Sequence, residues 1–148
     1  MDVPTRLDEI LGILRKQGCR VTPQRVAIVK TLIGDRTHPT VDEVYTRVSA
    51  EFPMTSMATV YKTVALLREV GQLQDVGLPG GTTHLDGAVA TAHPHLVCTA
   101  CGRIVDVQVP YELLREICKE VEAASGCQVE TRAVTLSGLC PDCCGAQR

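Results

Sequence analysis

Tryptophan is missing from the 148 residues, and phenylalanine occurs only once. With three tyrosines making up the rest of the aromatic set, the core has to be built from Leu, Val, Ile and Ala. No apolar run nears the roughly 20 residues of a membrane helix. The N-terminal stretch MDVPTRLDEILGILRKQG is charged throughout and lacks a signal-peptide core, so a cytoplasmic protein without a membrane segment is expected. Net charge is also nearly absent, at -2, which taken alone disfavours nucleic acid as a partner. What is present is 45% apolar residues, enough for a folded protein of one ordinary domain or two small ones.

The charge that exists is unevenly placed. Arg15, Lys16, Arg20, Arg25 and Lys30 form a run without an acidic residue, whereas the stretch from Gly87 to the end carries seven acidic and five basic residues. A basic patch on one half of a neutral chain suits a DNA footprint, although a solvated helix surface carries the same charges. Eight cysteines are many for a cytoplasmic protein, and in that compartment Cys-x-x-Cys pairs read first as metal ligands.

Apolar spacing predicts a first helix over about 5–17, from Leu7, Ile10, Leu11 and Leu14. Thr22 as cap, Pro23 at the first helical position and the stripe Val26, Val29, Leu32 and Ile33 predict a second. Thr40 precedes a third helix containing Val44 and Val48. Thr55 or Ser56 caps a fourth, closed by Gly71, with Val60, Val64, Leu67 and Val70 facing inward. The segments QLQDVGLP and TTHLD then form a short hairpin. Helices followed by a hairpin fit a winged helix-turn-helix, with the fourth helix in the recognition position. Arg20, Gln24, Arg25, Ser56, Thr59, Tyr61 and Lys62 are its candidate DNA contacts.

Small uncharged residues from Gly87 onward read as a hinge. After it the pattern changes to short strands, a helix over about 111–124 and a last strand in VETRAVTLSG. The expected class is therefore α+β. A winged-helix DNA-binding domain occupies 1–86, a hinge 87–94, and a small α/β dimerisation domain with a structural zinc site 95–148. So small a second domain needs a metal, a partner subunit, or both.

Cys98, Cys101, Cys140 and Cys143 make two Cys-x-x-Cys knuckles, the donor set that structural Zn²⁺ prefers. Cys144 adjoins the second knuckle, but the two-residue gap favours Cys143. Cys118 lies on the apolar side of its helix with Leu114, Ile117 and Val121 and reads as core. His93 and His95 alternate on an extended segment, so both imidazoles can reach one ion. With His38, Asp86 and Asp106 they form a borderline nitrogen and oxygen set that suits Fe²⁺, Mn²⁺ or Zn²⁺ and draws on both domains. Such an ion would set the domain angle and hence DNA affinity.

From about residue 7 to 143 the chain resembles the ferric uptake regulator family. The likeness is carried by Arg20-Val-Thr-Pro-Gln-Arg25, His38-Pro-Thr with Asp42-Glu-Val-Tyr45, Ala58-Thr-Val-Tyr61, His93-x-His95-Leu-Val-Cys98-x-x-Cys101-Gly102 and Gly138-x-Cys140-x-x-Cys143. It implies a homodimeric repressor that binds an inverted repeat in double-stranded DNA when its regulatory metal is present. It also implies structural Zn²⁺ on the four cysteines and regulatory Fe²⁺ or Mn²⁺ on the histidine and aspartate set. His38-Pro-Thr and Asp106 look most like the family's peroxide-sensing branch, in which iron drives oxidation of a ligand histidine. The chain departs from the family pattern in three places, one being that it lacks the cysteine near position 86 often used by the zinc-sensing branch. His84-Leu85-Asp86 replaces the usual Arg-aromatic-acid, and Thr131 and Arg132 stand where many iron sensors carry a further histidine.

Two other readings compete. One is a manganese- or zinc-uptake regulator without peroxide sensing. The other is a small metalloenzyme using the His-x-His and carboxylates around an open metal position. The spread of ligands across a hinge, with no large domain to form a substrate pocket, argues against an enzyme.

Overall fold

The computed structural model describes residues 3–77, 81–89, 91, 93–129 and 134–145. The chain divides into two compact units, Met1–Ala90 and Thr91–Arg148. No described helix is long and apolar enough to cross a membrane.

The first unit contains helices α1 (Val3–Lys16), α2 (Pro23–Gly34), α3 (Val41–Glu51) and α4 (Met57–Glu69), followed by strands β1 (Gln74–Gly77) and β2 (Thr83–Asp86). Three of the helices begin on side-chain caps, each worth about 1 kcal/mol. Thr22 accepts the Arg25 backbone N–H at 3.3 Å, and Pro23 follows it at the start of α2. Thr40 and Glu43 form a reciprocal capping box at α3. Ser56, rather than Thr55, caps α4 by accepting the Thr59 N–H at 3.2 Å.

Ile10, Leu14, Ile28, Leu32, Val44, Val48, Val60, Val64, Leu67 and Leu85 meet in one core. Burying each such side chain contributes about 1.5–3 kcal/mol. The inward face of α2 differs from the expected stripe, since Ala27 and Ile28 are buried while Val26 is only partly covered. In α4 the buried set includes Thr63, whose hydroxyl donates to the Thr59 carbonyl at 2.8 Å and is thereby satisfied inside the helix. β1 and β2 pair antiparallel, Gln74 opposite Asp86, as a wing. Arg68 pairs with Asp75 at 2.7 Å and ties α4 to that wing. The turn residues 78–80 lie outside the described residues.

The second unit contains β3 (Pro94–Cys98), β4 (Ile104–Asp106), helix α5 (Tyr111–Ser125), β5 (Val134–Gly138) and the short helix α6 (Pro141–Gly145). Its sheet has the order β4-β3-β5, with β3 antiparallel to β4 and parallel to β5. β4 spans only three residues, and residues 130–133 of VETRAVTLSG, including Thr131 and Arg132, lie outside the described residues. The expected burial of α5 needs correction. Leu114 is buried and Cys118 half-buried, but Ile117 is 49% and Val121 48% exposed. The apolar face of α5 is wider than this unit alone covers, and Leu113 and Tyr111 extend the exposed part.

Candidate metal centres and nucleic-acid interface

β3 ends at Cys98, where the chain turns through Thr99 and Ala100 to Cys101 and back into β4. Gly102 closes that turn with φ 73°, a left-handed conformation suited to glycine, and its N–H donates to the Cys98 carbonyl at 2.9 Å. The second knuckle leaves β5 and enters α6, a helix that no sequence pattern announces. Parallel pairing of Cys98 with Gly138 places the two knuckles side by side. The Thr99 N–H donates to the Gly138 carbonyl at 2.8 Å, and Arg103 pairs with Asp142 at 2.5 Å across the knuckles.

One sulfur from each of Cys98, Cys101, Cys140 and Cys143 lies within 4.8 Å of the others. Four sulfurs held tetrahedrally at about 2.3 Å from one ion are about 3.8 Å apart. Cys101 and Cys140 stand at 3.8 Å. The cluster therefore fits a tetrahedral metal. Backbone N–H groups, first that of Cys140, bring the Cys98 thiol down to about 6. Hydrogen bonding to Cys140, Cys101 and Cys98 pushes Cys143 up to about 12. A metal bound to all four must displace the proton that Cys143 otherwise holds. Cys144 is exposed on α6, outside this cluster.

A second set of donors converges at the other end of β3. His95 lies opposite Asp106 in the antiparallel register. His93 Nε2 is 3.5 Å and His95 Nε2 is 3.6 Å from the same Asp106 oxygen, and the two rings are 4.5 Å apart. Donors about 2.1 Å from a common ion are separated by about 3.0–3.4 Å, so small adjustments bring all three into range. The His93 Nδ1–H donates to the Thr91 carbonyl at 3.0 Å, which makes Nε2 the lone-pair atom of the neutral ring.

In the first unit, His38 and Asp86 are both buried. Asp86 ends β2, and its carboxylate accepts the Ala88 N–H at 3.0 Å. His38 has φ 57°, a left-handed backbone that costs a non-glycine residue about 1–2 kcal/mol. The loop carrying it is bonded to β2: Leu85 N–H donates to the Pro39 carbonyl at 2.9 Å, and His84 Nδ1–H to the His38 carbonyl at 2.6 Å. The sequence holds no signal for the His84 contact, which spans 46 positions.

Of the candidate DNA contacts, Tyr61 is 52% exposed on α4, beside exposed Lys62. Arg20 is exposed before α2, Gln24 and Arg25 are half-buried, and the Arg25 guanidinium donates to the Arg20 carbonyl at 2.7 Å. Ser56 and Thr59 are engaged with each other at the start of α4, 2.9 Å apart through their hydroxyls.

A profile of the ferric uptake regulator family matches residues 16–137. The chain belongs to that family. The peroxide-responsive repressor PerR of Staphylococcus aureus (strain USA300) is 34% identical over 137 residues, spanning 93% of this chain and 90% of that protein. The solved peroxide stress regulator of Campylobacter jejuni is 33% identical, with a TM-score of 0.68, and the match covers 90% of this chain and 98% of that one. The ferric uptake regulator Fur of Helicobacter pylori shares the fold, with a TM-score of 0.73 over 97% of this chain and 94% of that one at 20% identity. Within the family this regulator stands on the peroxide-responsive branch. Membership and the two donor clusters together make it a metal-dependent DNA-binding repressor, not an enzyme.

Proposed function

We propose that the switch of this repressor is one regulatory Fe²⁺ or Mn²⁺ bound by His38, Asp86, His93, His95 and Asp106. The observation that carries the reading is the convergence of His93 and His95 on one oxygen of Asp106. When bound, the ion supplies a positive centre that ligands from both units can share, and as iron it supplies one-electron chemistry toward peroxide. The residues do the rest. Thr91 sets the His93 tautomer, the β3–β4 register holds His95 against Asp106, and β2 holds the His38 loop beside Asp86 in the chain's first unit. Sharing one ion restricts how the units move, which favours the DNA-competent arrangement.

Cys98, Cys101, Cys140 and Cys143 hold structural Zn²⁺ in this reading, supported by their tetrahedral spacing. Dimerisation is supported by the uncovered apolar face of Leu113, Ile117 and Val121, which a second copy would bury. The partner is double-stranded DNA with an inverted repeat, matching a two-fold dimer, in the cytoplasm. Arg20, Gln24, Arg25, Ser56, Thr59, Tyr61 and Lys62 make the contacts, with Arg20 and Lys62 on phosphates. Arg20→Ala is expected to weaken selected and random duplexes alike and to lower the salt slope by about 0.9. Unchanged affinity for both would leave the basic run a solvated face.

Peroxide sensing is supported by the peroxide-responsive relatives and tested by mass spectrometry. In iron-loaded protein the ring of His38 or His93 is expected to gain one oxygen atom from hydrogen peroxide, whose other oxygen leaves as water, with release of DNA. Manganese-loaded protein is expected to stay unmodified and bound. Equal resistance of both forms would instead favour a metal-uptake regulator.

A further inference from the structure

His84 is the residue the family resemblance leaves without a role. On β2 it alternates with Leu85, which is buried in the core, so His84 and Asp86 share the opposite face of the strand. The carbonyl of His38 can only accept, so the 2.6 Å contact requires the proton on His84 Nδ1. The contact falls on a residue whose backbone is left-handed, and the next carbonyl along, that of Pro39, is held by Leu85 N–H. On the other side of His38, Asp35 accepts both the backbone N–H and the hydroxyl of Thr37, at 2.7 and 2.6 Å. The loop is thus pinned before, at and after His38.

We infer that His84 is a positioning residue for the regulatory site: its ring fixes the His38 backbone and presets the separation of His38 from Asp86 before any ion arrives. This inference rests on His38 and Asp86 being ligands, as proposed above. It also makes the wing strand a direct partner of the sensing loop, because β2 carries His84, Leu85 and Asp86 together. Partners that orient metal ligands in this way commonly change metal affinity when removed.

The test uses the zinc-loaded full chain and Mn²⁺ as the probe, with His84→Ala, His84→Asn and His93→Ala. The asparagine side-chain nitrogen lies as many bonds from Cβ as His84 Nδ1 and can donate to the same carbonyl. His84→Ala is expected to weaken Mn²⁺ binding about 10–100-fold, and His84→Asn to stay within about threefold of the parent. Zinc content should be unchanged in both. In metal-free protein, the NMR Cα shift of His38 should keep its left-handed value in His84→Asn and lose it in His84→Ala. Parent-like Mn²⁺ affinity in His84→Ala would overturn the inference. So would an asparagine variant as weak as alanine, which would mean the ring itself is a ligand. If parent and His93→Ala bind Mn²⁺ alike, the five-residue reading fails separately. An unchanged His38 shift in metal-free His84→Ala then overturns the positioning role on its own terms.

Discussion

Cys140→Ser is expected to lose the tightly bound zinc and, with it, the stable second unit. Cys140 is fully buried, its sulfur stands 3.8 Å from that of Cys101, and its N–H donates to the Cys98 sulfur at 3.3 Å. Structural zinc contributes about 10–16 kcal/mol of apparent binding free energy at neutral pH, as much as the whole stability of a typical domain. The unit spanning Thr91–Arg148 has little core to compensate, since α5 buries only Leu114 well. Elemental analysis should find zinc near zero in Cys140→Ser and near the parent's content in Cys144→Ser. Size-exclusion light scattering should show a dimer only for the latter. A zinc-replete dimeric Cys140→Ser would remove these sulfurs as the structural site.

The second large effect is expected from His93→Ala. It removes the donor whose tautomer is set by Thr91, and with it the 3.5 Å contact to the Asp106 carboxylate. Metal-stimulated DNA binding should disappear, a loss of about 5–150-fold if the coupling has the usual size. Structural zinc, the dimer and weak association with random DNA should persist. His38→Ala should do the same from the first unit, and because alanine keeps the Cβ it brings no relief of the left-handed backbone at that position. Fluorescence anisotropy with and without Mn²⁺, at fixed salt, reads both. Parent-like stimulation in either variant would exclude that residue from the switch.

What is legible in the sequence is local. Thr22-Pro23, Thr40 with Glu43, and Ser56 announce helix starts because a cap acts within three residues. The cysteine pairs and His93-x-His95 announce metals because their donors are already close along the chain. The hidden features join distant segments. Arg103 to Asp142 spans 39 positions and His84 to His38 spans 46, and neither leaves a mark in periodicity. The mismatch at α5 has a different origin. Periodicity at Leu114, Ile117, Cys118 and Val121 reports that a face is apolar, not whether the same chain covers it. At α2, Ile28 rather than Val26 lies in the core because a small rotation of the stripe changes little in the pattern but much in the packing.

The central claim, that ion occupancy and DNA binding are one linked equilibrium, is tested by reciprocity. An inverted-repeat duplex is selected from a random pool by the manganese-loaded dimer. Its affinity is then measured with and without Mn²⁺, and Mn²⁺ affinity with and without the duplex. Linkage requires the two ratios to be equal and, for a switch of ordinary size, about 5–150. A duplex affinity that is the same with and without Mn²⁺ would contradict the claim.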